Sequence, residues 1–285
     1  MVETRQVSPN HYVFSERVNP RFCFVMGLAA GRERAALVDA GMGIDRSLPR
    51  AVAAVTDRPV TLLVTHCDSD HIGGASQFRD VYLSPEEREE DIAVACNPGL
   101  RLRFLAAHGF DPEMVKRAEA SIVREPLTVY GQVRDGDRFD LGGRELLAIS
   151  LPGHSMGSMV YLDPEARIAF AGDAITKSPL VAFGRCPPLS VYLEALLRFR
   201  DIAGDGVRLY CGHSVTALPE DTLPDLIQGC REILSGKCGG DREEVLPLGF
   251  FDLKDVPVWL HRHGSVTIRY NRERLSPSCP AGNQR

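Results

Sequence analysis

The stretch that most constrains this 285-residue chain is Thr65-His66-Cys67-Asp68-Ser69-Asp70-His71-Ile72-Gly73-Gly74, which follows the apolar run Val60-Thr61-Leu62-Leu63-Val64. Two imidazoles and two carboxylates fall within six consecutive residues. A core strand that empties into ligand-type side chains predicts a metal site at its C-terminal end. In extended backbone His66 and Asp68 share a side, while Cys67 and Ser69 turn away. Asp70 and His71 follow where the chain bends, and the Gly73-Gly74 pair permits close backbone approach. Four such groups on one turn are enough to serve two adjacent ions.

Three later segments repeat the design. The strand-like run Glu145 to Leu151 leads into Pro152-Gly153-His154-Ser155, Arg167 to Ala171 into Gly172-Asp173, and Val207 to Tyr210 into Cys211-Gly212-His213. Strands of one sheet deliver their ends to one rim, so these groups are expected to converge. In order and spacing the motifs resemble the metallo-β-lactamase superfamily, whose usual first motif is His-x-His-x-Asp-His. The resemblance implies an α/β fold, a four-layer αββα sandwich with a binuclear site at one edge between the sheets. It implies that His66, Asp68 and His154 hold one divalent ion, that Asp70, His71 and His213 hold the other, and that Asp173 bridges them. A metal-bridging hydroxide would then be the nucleophile, with Asp70 as the catalytic group that orients it or collects its proton. Two zinc ions are the expected cofactors, with iron or manganese as alternatives.

Asp68 departs from the usual motif, standing where most members have histidine. Three carboxylates then offset three of the four charges of two divalent ions, so bound water should be less acidic than with the usual two. A hard oxygen ligand also tilts selection toward iron or manganese.

Composition narrows the function. The net charge of -5 and the lack of a Lys/Arg block argue against nucleic-acid partners. No run reaches the roughly 18 apolar residues of a membrane span, and the N-terminus has no apolar signal core. The eight cysteines form no Cys-x-x-Cys pair, which suggests reduced thiols in a cytoplasmic protein acting on a small molecule. Cys67 and Cys211 read as packing thiols. The whole chain, 1–285, reads as one domain, with a helical insertion at about 84–124 and a C-terminal helix and strand extension at about 220–275.

Several local expectations can be checked. Residues from Phe22 to Val38 read as a hairpin leading into Asp39, either a turn residue or a support for the metal loops. Ser47 should cap a helix through Val55, Ser84 one opening at Pro85, and Thr222 one ending at Gly236. Asp111-Pro112-Glu113 opens another helix, and Ser190 to Arg200 forms an outer one. Glu86, Glu87, Glu89, Glu90 and Asp91 read as a solvated face. Val266 to Tyr270 is strand-like, and Ser276 to Arg285 should fray. His11, His108, His261 and His263 read as surface or satisfied residues, and Phe22, Met26 and Met42 as core. Lys177, Arg185 and Tyr192 are either substrate contacts or solvent-facing residues.

The expected activity is hydrolysis of an ester, lactone or thioester. The Gly136 to Ser155 segment resembles the glyoxalase II and lactonase side of the superfamily in particular. An iron-containing oxidoreductase is the alternative, because flavodiiron members carry glutamate at the Asp68 position, although the chain has no room for their flavodoxin domain. Phosphodiesterase and β-lactamase activities have no supporting feature. Non-catalytic binding would require a broken metal site.

Overall fold

The computed structural model describes residues 2–19, 22–237, 242–246 and 254–276. Its first half runs β1 (Val2–Ser8), β2 (His11–Asn19), β3 (Phe22–Ala30), β4 (Ala35–Val38), α1 (Leu48–Ala53), β5 (Val60–Leu63), α2 (Ser69–Ile72) and β6 (Asp80–Leu83). Three helices follow, α3 (Glu89–Cys96), α4 (Pro98–Ala107) and α5 (Pro112–Ser121), and then the short β7 (Gly131–Gln132). The second half contains β8 (Arg138–Asp140), β9 (Glu145–Ser150), β10 (Met159–Asp163), β11 (Ile168–Phe170), β12 (Leu180–Val181), α6 (Leu189–Ala203) and β13 (Arg208–Tyr210). It closes with α7 (Thr222–Leu234), β14 (Arg242–Leu246), β15 (Val256–His263) and β16 (Val266–Tyr270).

Among the described residues the strands form three sheets, in the orders β1-β2-β3-β4-β5-β6-β7, β13-β11-β10-β9-β8 and β12-β16-β15-β14. The first two face each other. Val25, Ala36, Val38 and Leu63 from one pack with Ala148, Tyr161, Ile168 and Phe170 from the other. A Cβ on Gly27 would stand 2.2 Å from the Phe170 ring, so glycine is what lets the sheets approach there. The outer face of the first sheet is covered by Leu48 and Val52 of α1, Ile72 of α2 and Ala95 of α3. That of the second is covered by Tyr192, Leu196 and Phe199 of α6 and by Leu226, Ile227 and Cys230 of α7. Burying both faces of each central sheet explains the continuous apolar runs of β3, β4 and β10, and the layers are the αββα sandwich expected.

Helix starts differ from the expectations where a side chain found a better partner. The Ser47 hydroxyl bonds the Asp45 carboxylate instead of capping α1, which ends at Ala53. Ser84 sits in a turn, and α3 opens only at Glu89, because Glu87 points inward. Asn97-Pro98 then separates α3 from α4, with the Asn97 side chain accepting from Leu100 N. Thr222 lies inside α7 with its hydroxyl buried and without a hydrogen bond. Asp111 does cap α5 through Glu113 N at 2.8 Å. The third sheet goes beyond the single strand expected at Val266 to Tyr270. The expected fraying of the C-terminus lies outside the described residues beyond Ser276. Among the described residues no helix is long and apolar enough to cross a membrane.

Candidate metal centre

The seven expected ligands come from the C-terminal ends of strands or the turns just beyond them, and the structure brings all seven together. Ligand-type atoms of His66, Asp68 and His154 lie within 4.8 Å of one another, as do those of Asp70, His71 and His213, and those of His66, His71 and Asp173. β5 delivers His66 and Asp68, and α2 carries Asp70 and His71 on one short turn. The loops after β9, β11 and β13 supply His154, Asp173 and His213. Gly212 makes room: a Cβ there would meet His71 Cε1 at 2.3 Å and Asp173 Oδ1 at 2.8 Å.

Each of the four imidazoles is held by its Nδ1 and turns its Nε2 toward the cluster. His71 Nδ1 bonds Asp39 Oδ2 at 2.8 Å, and His66 Nδ1 bonds Thr65 Oγ1 at 3.0 Å. His154 Nδ1 bonds the Leu180 carbonyl at 2.9 Å, and His213 Nδ1 the Cys23 carbonyl at 3.2 Å. Carbonyl and carboxylate partners require Nδ1 to carry the proton, which leaves a neutral ring's Nε2 as a lone pair. Asp39, at a φ of +65°, also accepts from Thr65 N at 2.7 Å and Thr65 Oγ1 at 2.8 Å. Of its two readings, support of the metal loops is therefore the one observed.

These lone pairs face acceptors. His154 Nε2 is 2.9 Å from Asp68 Oδ2, and His213 Nε2 is 3.1 Å from Asp173 Oδ2. His66 Nε2, His71 Nε2 and Asp173 Oδ1 are buried with no hydrogen-bond partner. Acceptors facing acceptors need a cation between them, a proton or a metal. Other edges are 3.6 Å for His66 Nε2 to Asp68 Oδ2 and 3.5 Å for His71 Nε2 to Asp173 Oδ1. Two donors of a tetrahedral zinc site stand roughly 3.4 Å apart, so the set fits a metal centre. Without metal, protons take that place. Burial lowers the His71 pKa, but Asp39, Asp70 and Asp173 outweigh it and push the value up to about 10. Burial likewise opposes the His213 imidazolium, which Asp173 and then Asp70 raise to about 9.

Three neighbours complete the site: Arg101 and Glu87 were not legible as parts of it, and Arg185, expected as a substrate contact or a solvent-facing residue, instead pairs with Asp68. Arg185 faces Asp68 with both guanidinium Nη atoms, Nη1 on Oδ1 and Nη2 on Oδ2 at 2.6 Å. Burial works against the Asp68 carboxylate, yet Arg185 and the bonds from His154 and His66 hold its pKa well below the usual range. The guanidinium supplies a positive charge that the count of three carboxylates omitted, so the surplus negative charge expected from Asp68 is offset. Glu87, expected on a solvated face, is buried and accepts from Cys67 Sγ at 2.7 Å and from the Ser155 hydroxyl. Arg101 on α4, 1% exposed, donates to the carbonyls of Met42 at 2.7 Å, Gly73 at 2.8 Å and Cys96 at 3.4 Å, and to that of Val123. It thus ties the helical segment to the turn that carries His71.

A cavity of about 780 Å³ opens over the cluster, with His154, Asp173 and His213 on its floor. Phe22, Leu180, Leu218 and Leu246 give it apolar walls, and Lys177 and Arg269 line it too. Phe22 stacks on His213 at 5.2 Å, so it is a wall residue and not simply core, unlike the fully buried Met26 and Met42. Tyr192 is neither a substrate contact nor solvent-facing: it is fully buried and bonds the Ala174 carbonyl at 2.8 Å. His11 is satisfied by Asp163, and His261 and His263 by Glu232, while the exposed His108 lines the cavity. Cys67 and Cys211 are buried, with thiol pKa values raised by burial, as packing thiols require. Cys238 and Cys279 lie outside the described residues.

This fold and this constellation define the metallo-β-lactamase superfamily, and the chain belongs to it: the superfamily's model matches residues 17–213. Acyl-coenzyme A thioesterase MBLAC2 from Bos taurus is 26% identical over 208 residues, covering 63% of this chain and 68% of that protein. Hydroxyacylglutathione hydrolase from Rhodopseudomonas palustris is 27% identical over 161 residues, 55% of this chain and 49% of that one. Among solved structures, a metallo-beta-lactamase family protein from Thermus thermophilus superposes with a TM-score of 0.58 at 24% identity, over 83% of this chain and 85% of that one. The first two bear hydrolase names.

Proposed function

We propose that the protein is a metal-dependent hydrolase, binuclear and zinc-loaded, that cleaves an ester, thioester or lactone of a small molecule in the cytoplasm. The observation that carries this reading is the convergence of His66 Nε2, His71 Nε2 and Asp173 Oδ1, all buried and unpartnered, beneath an open cavity. His66, Asp68 and His154 would hold one ion and Asp70, His71 and His213 the other, with Asp173 between them. Divalent ions bound there supply Lewis acidity, which activates water and polarises a carbonyl oxygen.

The rest is the work of the chain. Asp39, Thr65 and the carbonyls of Leu180 and Cys23 lock the imidazoles with Nε2 inward, so no reorientation is needed during turnover. Asp70 has a carboxylate oxygen 3.5 Å from His213 Nε2 and takes the proton released by the attacking water. Phe22, Leu180, Leu218 and Leu246 exclude water around an acyl chain. The acyl-coenzyme A thioesterase and hydroxyacylglutathione hydrolase names among the relatives support a thioester as the first substrate to try.

The test is a zinc-loaded screen against thioesters, esters, lactones, phosphodiesters and β-lactams, with Asp173→Ala alongside. Thioester, ester or lactone turnover that the substitution abolishes is expected; activity surviving it refutes the reading. The Asp68 carboxylate favours one rival, an iron-dependent oxidoreductase. Iron in protein purified without added metal, together with substrate-dependent oxygen uptake, would replace the hydrolase by that rival.

A further inference from the structure

The two halves of the centre are not electrostatically alike. Arg185 is a permanent cation, and its planar fork matches a carboxylate. It takes both Asp68 oxygens, and its Nη2 also stands 3.3 Å from His154 Nε2. The side chain is 19% exposed, so solvent screens it little. It is also anchored. Arg274 bonds the carbonyls of Phe183 at 2.9 Å and Cys186 at 2.6 Å, on either side of Arg185, and Cys186 Sγ bonds the His154 carbonyl at 3.0 Å. The Phe183 ring lies 5.5 Å beneath the guanidinium. At the other position, Asp70 and Asp173 pair with His71 and His213, and no lysine or arginine pairs with them among the described residues.

We propose that Arg185 makes the two metal positions unequal: it competes for the Asp68 carboxylate, so the His66, Asp68 and His154 position fills after, and more weakly than, the Asp70, His71 and His213 position. The inference rests on the ligand assignment above. Its physical basis is twofold. The guanidinium occupies lone pairs that an ion would use, and its charge repels a divalent ion. A unit charge a few ångströms from such an ion weakens binding about tenfold even at the dielectric of water, and more in a buried site. Arg185 in this way gives the chain a form with one ion at limiting metal supply and a form with two when metal is plentiful.

The experiment is titration of the metal-stripped full chain with Zn²⁺ against a chromophoric chelator, with bound zinc counted by elemental analysis. Native protein should show two steps separated about tenfold or more. His154→Ala should remove the weaker step and His213→Ala the tighter one. Arg185→Leu should tighten the weaker step about tenfold or more and bring the two together, while Arg185→Lys, which keeps the charge without the fork, should fall between. If Arg185→Leu misfolds, Arg185→Gln gives the same comparison. Two steps that the substitutions leave unchanged, or a weaker step that loosens, would overturn the role of Arg185. Loss of the tighter step in His154→Ala would overturn the order of filling. Absence of any zinc binding by the folded native chain would overturn the ligand assignment itself, and the inference with it.

Discussion

Replacing Arg101 by methionine tests whether the metal turn is held from the helical segment. The native side chain is 1% exposed and, among the described residues, makes no ion pair with a carboxylate, so its guanidinium is bonded to the backbone carbonyls of Met42, Gly73, Cys96 and Val123. Burial lowers its pKa to about 10, which keeps it charged at neutral pH. Methionine nearly fills the volume but leaves at least the Met42, Gly73 and Val123 carbonyls buried without that donor. At about 1–3 kcal/mol for each unsatisfied group, less the relief of a buried guanidinium, the net loss should be about 3–5 kcal/mol. Urea unfolding at pH 7 should show that loss as a lower midpoint at unchanged slope, and Arg101→Lys should lie between, since one ammonium cannot span all the carbonyls. Hydrogen exchange should rise first in residues 39–44 and 70–74, the loops the guanidinium joins. A loss under about 1 kcal/mol would show that water or a backbone shift replaces the donor, and would refute the clamp.

Other consequences follow from the same geometry. Glu16 is buried, and burial outweighs the bonds from Met42 N at 2.7 Å and Ile44 N at 3.1 Å, raising its pKa from 4.5 to about 7. Its contribution to stability is therefore fully present below about pH 4.5 and is lost as pH rises through 7. In Glu16→Gln the fall between pH 5 and 8 should shrink by up to about 3 kcal/mol in urea titrations, and an unchanged slope would count against the assignment. Gly212→Ala should reduce zinc binding by about tenfold or more, because its methyl group would displace His71 and Asp173; full zinc content measured after dialysis would contradict this. Lys177→Ala should raise KM about threefold to tenfold for thioesters with an anionic leaving group, leaving kcat and neutral substrates unchanged. Equal effects on both substrate types would remove Lys177 from recognition.

What could be read from residues alone follows the chemistry of each residue type. Histidine and aspartate at strand ends are few and costly to cluster, so their placement after the runs at Val60, Glu145, Arg167 and Val207 pointed to one rim, and the rim is where they lie. Strands β1 and β2 were missed because β1 is largely exposed and polar, because the buried stretch of β2 mixes Val13 and Phe14 with His11, Ser15 and Glu16, and because no turn signal as strong as Asn-Gly marks their join. The roles of Arg101 and Glu87, and the pairing of Arg185 with Asp68, were missed for a different reason. Each acts through a partner far along the chain, 59 residues from Arg101 to Met42, 68 from Glu87 to Ser155 and 117 from Arg185 to Asp68, and no local period encodes such a pairing. A long charged side chain is usually solvated, so composition argues against burying it unless its acceptors are already known. Arg185 nonetheless had a sequence correlate in Asp68, the one ligand position where a charged group replaces the usual neutral imidazole. A change of charge inside a buried cluster calls for a compensating charge nearby, and the cation that meets Asp68 comes from the loop between β12 and α6, directly after a strand that also supplies the carbonyl holding His154. An irregular ligand thus carries more structural information than a regular one, because it demands a partner that can be sought among the unassigned arginines and lysines.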